Sequence, residues 1–454
     1  MIVGFAGCAQ ISLFERSALP VPNQWPDKPS PASRLGAAKT HWRTYFSDPV
    51  LQSLIATALK NNRDLRVAAG RVQEARAQFG IARADLGPTV NVMGTGNVTR
   101  TSSDLSGIGA PLTSQRYDLS MSSVSFEVDF WGRVANLSEA ARLSYLASEE
   151  SRRSVYVSLV ADVALSYLTL LQFQYLVASE QSAVDLRVQS LALIEKGYVA
   201  GAANDFDYQQ ASSLVASSQA SLASYVNQRD TARHRLDFLL GYAPVDLKLN
   251  ISLDKLGLDT PVAPGLPAEV LLLRPDVMAA EQRLRATHAN IAAARAAFLP
   301  KVMLTTSLGL ASQSLMSLFS GGAWSFQPLI TMPLFDGGRT SAGVDAAKAR
   351  NFIAVAEYER TIQAAFREVS DLLSSNLSLS IQVKSSKSNI QARARHLEIA
   401  TGRYDAGAGT YLEVLDAQQN LISAQQSGAQ VRRAQLESHV QLYKALGGGL
   451  NPSS

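Results

Sequence analysis

Most of the features that mark a chemistry are missing from this chain. It has one cysteine, Cys8, in 454 residues, which excludes an internal disulfide and any multi-cysteine metal site. Its five histidines, His41, His234, His288, His396 and His439, are scattered, with no HExxH and no pair at ligand spacing. Neither a G-x-x-x-x-G-K-[ST] loop nor a G-x-S-x-G elbow occurs. Gly337-Gly338 and Gly447 to Gly449 read as turn and tail glycines, not as phosphate cradles. The sequence therefore predicts no enzyme, no cofactor and no metal, and energy for any work must come from a partner. Aromatic residues are only 7% of the chain; alanine and serine fill long stretches, as suits closely approaching helices. Basic residues exceed acidic ones by 42 to 38 without forming a block, which gives no reason to expect nucleic acid. No uninterrupted run of eighteen apolar residues is present, so no membrane-spanning helix is expected. A closed β-barrel is then the remaining way across a bilayer.

What is present begins at the N-terminus. Ala6-Gly7 stand just before Cys8, a pattern similar to a bacterial lipobox, where a signal peptidase cuts ahead of a cysteine that carries lipid. Phe5 stands where leucine is usual, and the seven residues before Cys8 include no basic one. Lipidation at Cys8 is the expectation, and an incidental cysteine the alternative. Leu19 to Pro31 (LPVPNQWPDKPSP) is proline-rich, so it reads as an extended tether leading an anchored terminus along a folded body.

An internal repeat organises the remainder. Setting Pro88 on Pro300, an offset of 212, pairs Asp64 with Asp276, Ala68 with Ala280, Arg71 with Arg283, Arg83 with Arg295 and Val90 with Val302. Further on the offset is 206, pairing Gly132-Arg133 with Gly338-Arg339, Tyr198 with Tyr404, Gly201 with Gly407 and Gly241 with Gly447. The first half thus holds six more residues between Pro88 and Gly132, expected in a hairpin loop. The predicted divisions are 1–41 (signal remnant and tether), 42–241 (first repeat), 242–265 (linker), 266–447 (second repeat) and 448–454 (tail).

Each half reads helix, strand, loop, strand, long helix, turn, long helix. Proline pushes its predecessor out of the α region, so the first helices are expected to stop at Pro88 and Pro300. Strands are expected at about 89–99, 116–131, 301–311 and 323–334. Val302, Leu304, Thr306, Leu308 and Leu310 share one face, as do Trp324, Phe326, Pro328, Ile330 and Met332. Tyr117, Leu119 and Met121 alternate with polar residues until a phase slip at Ser122-Ser123, a bulge signature. Apolar on one side and polar on the other suits lipid outside and water inside, and equally a soluble sheet packed on helices. Four strands cannot close a membrane barrel, for which about eight is the practical minimum. Either the sheet is soluble or several chains share a barrel, and three copies supply twelve strands. Val134 to Lys196 lacks both proline and glycine, enough for a helix on the order of 95 Å, and Arg339 to Arg403 repeats the pattern, broken only by Gly343 near its start and Gly402 at its end. Both turn back, at 197–204 and 402–410, into helices expected over 206–240 and 411–446, with Thr410 and Glu413 as a capping box. A soluble coiled-coil scaffold would explain these helices but not the strands inserted at matching places.

Trp42 to Ala77 (WRTYFSDPVLQSLIATALKNNRDLRVAAGRVQEARA) and Leu271 to Gly309 (LLLRPDVMAAEQRLRATHANIAAARAAFLPKVMLTTSLG) resemble the OprM-like lipoproteins of the TolC family, the outer-membrane members of resistance-nodulation-division efflux systems. The resemblance covers nearly the whole chain. It implies an α+β membrane protein: a homotrimer with a twelve-stranded β-barrel, four strands per chain, continued by a long periplasmic α-helical barrel. It also implies a small equatorial domain built from the N-terminal segment, the 242–265 linker and the C-terminal residues. As partners it implies outer-membrane lipid, a periplasmic membrane-fusion adaptor and an inner-membrane pump, and as function a passive exit duct for drugs and other small molecules. The segment GRYDAGAGTYLEVLDAQQ is similar to the family's periplasmic closure. On that match Leu412 and Asp416 form constriction rings, Arg403 and Tyr404 join the links that hold the tip shut, and Asp205 and Asp207 are further link candidates. Leu412 and Asp416, four apart, stack on one helix face, and a ring of carboxylates would repel anions; acids in a first helical turn also answer the helix dipole. Protein secretion through a type I system and metal efflux remain alternatives for the cargo.

Overall fold

The computed structural model describes residues 20–25, 40–201, 204–242 and 271–448, with the single positions 253, 256 and 267. Cys8, most of the tether, the linker apart from positions 242, 253 and 256, and the tail beyond 448 lie outside the described residues. Eight α-helices and four strands are described: α1 (Trp42–Tyr45), α2 (Pro49–Asn61), α3 (Arg63–Ala84), β1 (Asn91–Thr101), β2 (Leu112–Val128), α4 (Arg133–Val199) and α5 (Asp205–Leu239). The second half supplies α6 (Pro275–Ala296), β3 (Lys301–Ser312), a 3-10 turn (Leu315–Ser320), β4 (Gly322–Thr331), α7 (Arg339–Asp405) and α8 (Tyr411–Ala445).

The repeat holds to the residue in the helices. α3 and α6 start and stop 212 apart (275 − 63 and 296 − 84), and α4/α7 and α5/α8 start and stop 206 apart. Glycine pairs 132/338, 201/407 and 241/447 all have positive φ. α3 and α6 end four residues before their prolines, not at them. In both, the final turn tightens into i→i+3 bonds, Gly87 N–H to Ala84 O and Leu299 N–H to Ala296 O, each 3.0 Å.

The chain divides into two compact units. One comprises residues 70–149 and 279–359 and contains the sheet. Its strands pair antiparallel in the order β1-β2-β3-β4, so β1 and β4 are the edges. Pairing sets Met121 opposite Leu308 and Leu308 opposite Trp324, and Phe126 opposite Leu304 and Leu304 opposite Pro328. Cross-strand partners share a face, so these residues make one apolar face with Val92, Val302 and Ile330. The other face carries Thr95, Asp118, Ser120 and Ser307, with Arg116 on Asp118 at 2.9 Å and Ser307 Oγ to Ser325 Oγ at 2.8 Å. The phase slip is a bulge: Ser123 pairs Thr306 and Phe126 pairs Leu304, leaving Val124 and Ser125 against Thr305. Ser125 has φ 54° and its N–H donates to Thr305 Oγ1 at 3.1 Å. The connections 102–111 and 313–321 differ by one residue, so the six extra residues do not sit in the loop. They lengthen β2, 17 residues against 10 in β4, and its bulge. In the same unit, Ala140 and Leu143 of α4 pack on Ala286 and Ala289 of α6.

The described residues of the second unit are 20–25, 40–69, 150–201, 204–242, 271–278 and 360–448, with 253, 256 and 267. Asp48 caps α2, accepting from Val50 N and Leu51 N at 3.1 and 3.3 Å, with Pro49 preset at the first helical position. An aromatic knot ties α1 to α8 and α4. Tyr45 stacks on Tyr443 at 4.2 Å, Phe46 meets Tyr443 edge-on, and Trp42 Nε1 donates to Tyr156 Oη at 3.0 Å. Trp25, at the described part of the tether, stacks on Phe366 of α7 at 5.0 Å. The expectation that no helix could span a membrane does not hold by length and composition. α4 contains an 18-residue window with mean hydropathy 1.7 and no more than two charges, enough to cross a membrane by length and composition. Ser158, Asp162 and Ser166 interrupt the apolar run without lowering its average far. That window is 61% buried within the chain, the state of a core helix.

Candidate functional site

The turns at the ends of the four long helices lie in the second unit. Each long helix closes on a left-handed glycine, Gly201 (φ 72°) and Gly407 (φ 71°), a conformation in which a side chain would crowd the following carbonyl. The chain then re-enters a helix at a side-chain cap. Asn204 Oδ1 accepts from Asp207 N at 2.9 Å and Thr410 Oγ1 from Glu413 N at 3.3 Å, equivalent positions in the repeat. The expected capping box is half formed. Glu413 Oε2 points instead toward Arg403 Nη2, 3.8 Å away, while that Arg403 nitrogen donates to Ala408 O at 3.1 Å. Arg403 thus fastens its own turn.

The residues picked out by sequence fall into two groups. Tyr404, Leu412 and Asp207 come together, lining a cavity of about 580 Å³ with Leu193, Tyr411 and Leu415. The Tyr404 and Tyr411 rings lie 5.1 Å apart at 60°. Asp416, Arg403 and Asp205 are not in that lining. Asp416 is exposed one turn beyond Leu412 and accepts from Asn420 Nδ2 at 3.0 Å. Asp205 is exposed and accepts from Gln209 Nε2 at 3.3 Å. Leu412, 41% exposed on a helix whose other face buries Val414 and Ala417, faces away from its own core.

A set of polar side chains that sequence reasoning passed over joins α4 to α8. Arg433 Nη1 donates to Thr169 Oγ1 at 3.3 Å and Gln426 Nε2 to Glu180 Oε2 at 2.8 Å. Arg187 donates to Gln419 Oε1, and Tyr411 Oη to Ser190 Oγ. Arg187 also reaches α5, donating to Ser218 Oγ and, at 3.4 Å, to Leu214 O. Glu180, Arg187 and Ser190 are all buried; burial pushes the Arg187 guanidinium down from its usual pKa, against the pull of Glu180. A signal for them exists. Leu176, Glu180, Ala183, Arg187 and Ser190 follow one another at spacings of four and three, the seam of a coiled coil. Polar groups in such a seam fix register, since a slip would strand them unpaired. Among the described residues no cluster of three or more His, Cys, Asp or Glu could hold a metal ion.

Comparison with known proteins agrees with this architecture over nearly its whole length. A family model described as outer membrane efflux protein matches residues 54–242 and 266–448. The solvent efflux pump outer membrane protein SrpC of Pseudomonas putida is 40% identical, over 98% of this chain and 96% of its own. The cation efflux system protein CusC of Escherichia coli is 38% identical, over 98% of this chain and 97% of its own. Among solved structures, the open state of the Neisseria gonorrhoeae MtrE outer membrane channel superposes with a TM-score of 0.89 at 33% identity, covering 97% of this chain and 98% of that one.

Proposed function

The chain belongs to the outer membrane efflux protein family, and from that premise we propose that three copies form a passive duct for drugs and other small molecules. The observation that carries this reading is the sheet. Its four strands end in two edges, β1 and β4, and it has an apolar and a polar face. Unpaired strand edges cannot stand in hydrocarbon, so neighbouring copies must pair with both. Three copies give twelve strands, apolar face to lipid and polar face to a water-filled interior.

The helical part extends into the periplasm, where a membrane-fusion adaptor engages it and an inner-membrane pump supplies the energy. The tips gate the duct. Leu412 and Asp416, exposed and stacked one turn apart, form an apolar and an anionic ring around the three-fold axis. Arg403, Tyr404, Asp205 and Asp207 belong to the links that hold the tips in place, with Arg403 acting through its bond to the 408 carbonyl. Cys8 carries the lipid that anchors the N-terminus to the outer membrane. A second reading of the cargo, metal ions, is favoured by the cation-efflux relative at an identity close to that of the solvent-efflux one. Growth of a deletion strain on dyes, antibiotics, solvents and copper or silver salts tests the proposal. Hypersensitivity to the organic compounds is expected; sensitivity confined to metal salts would establish the second reading, and unchanged growth on all of them would overturn both.

A further inference from the structure

The cavity between the two hairpin tips has a chemistry that a gate alone does not require. Its volume, about 580 Å³, falls in the range of small-molecule sites, roughly 300–1,000 Å³, and its walls come from all four long helices. Leu193, Leu412 and Leu415 make it apolar and Tyr404 and Tyr411 present aromatic rings. One lining residue carries a charge, Asp207, and no lysine or arginine lines the cavity. Among the described residues no side chain bonds the Asp207 carboxylate; only its backbone N–H is engaged, by Asn204. Of the cations at these tips, Arg403 is held by Ala408 O and faces Glu413, and Lys196, next to the lining residue Gly197, is exposed and outside the lining. A half-buried carboxylate with no bonded cation among the described residues thus lines the same cavity as two aromatic rings, whose faces attract positive charge, in a pocket large enough for a fused-ring body.

We propose that this cavity is a binding site for monovalent organic cations with an aromatic body, one per protomer, with Asp207 as counter-ion and Tyr404 and Tyr411 as the aromatic wall. The proposal rests on the duct reading for its physiological sense but not for its chemistry. It is distinct from the Asp416 ring, which would lie on the three-fold axis and hold at most one ion per trimer. Because the bound cation touches both hairpins, it favours the arrangement in which they stand at this separation. At a ligand concentration ten times Kd the balance shifts by up to about eleven-fold per protomer if the alternative arrangement has no affinity.

The test is equilibrium binding of ethidium, followed by fluorescence anisotropy, to the purified full chain in detergent. Expected are three ethidium per trimer and at least a ten-fold weaker Kd in Asp207→Asn, with no change in Asp185→Asn, an exposed α4 carboxylate outside the cavity. Circular dichroism of Asp207→Asn checks that the fold is intact, and Tyr404→Leu, which leaves the charge in place, is expected to weaken binding several-fold. Equal affinity of wild type and a folded Asp207→Asn would overturn the proposal. So would a stoichiometry of one per trimer that is lost in Asp416→Asn. Failure of the duct reading shows separately, as absence of conductance in planar bilayers without any cation ligand.

Discussion

Tyr411 and Ser190 join the two hairpins near their tips, and replacing Tyr411 by phenylalanine removes that bond while keeping the ring. Ser190 Oγ already donates to Leu186 O at 3.0 Å, so the variant leaves one acceptor lone pair unused and no donor stranded. The loss therefore belongs in the ordinary range for a neutral hydrogen bond, about 0.5–1.5 kcal/mol. With RT near 0.59 kcal/mol, the equilibrium between tips held together and tips apart shifts by about two- to thirteen-fold per protomer. If three protomers open together the factors multiply, to roughly thirteen-fold at the low end. Single-channel recording in planar bilayers reads this as open probability, and Tyr411→Phe is expected to raise it with unitary conductance unchanged. An open probability equal to wild type would refute the idea that this bond restrains the tips. A changed unitary conductance would place Tyr411 in the lumen instead.

Other consequences can be checked on the same purified protein. Asp416→Ala is expected to raise single-channel conductance if Asp416 forms the anionic ring proposed for it; an unchanged value would remove Asp416 from the constriction. Gly241→Ala should destabilise strongly, by about 2 kcal/mol or more, since φ is +69° and a Cβ would lie 2.6 Å from Asn61 O. Gly407→Ala shares the positive φ, +71°, but has open space, so about 1 kcal/mol is expected; thermal melts that rank them the other way would contradict the geometry. Burial pushes the Asp276 carboxyl up, but the hydrogen bonds and charge of Arg274 outweigh it and hold it below the usual range. Stability from this pair is present above the ordinary carboxylate pKa of about 4 and is lost as pH falls below it. Asp276→Asn should therefore show a shallower fall in Tm between about pH 5 and 2 than wild type.

Much of the fold could be read from the sequence because duplication doubles every signal. A glycine that is ambiguous once, such as Gly201, becomes a turn when Gly407 stands 206 residues later with the same neighbours. The strands were legible from alternation, and the bulge from a single slip, displaced by about two residues because backbone pairing, not side-chain phase, locates it. The helices stop four residues short of Pro88 and Pro300, since a tightened last turn finishes each before the proline acts. The α4–α8 ladder is not legible in the sequence for a different reason. Glu180 and Arg187 look like solvated helix residues, and only the partner helices decide that their face is a seam. At the tips, the positions of Leu412 and Asp416 came from a motif, whereas the cavity uniting Asp207, Tyr404 and Tyr411 depends on two hairpins that are far apart in the chain.

The claim that everything else depends on is that copies of this chain complete one water-filled duct. Ionic conductance of the purified protein, reconstituted at low density in a planar lipid bilayer, tests it most directly. The account predicts discrete, uniform current steps from a trimeric species, smaller for the wild type than for Asp416→Ala. Membrane-inserted trimers that carry no current in either form would contradict it.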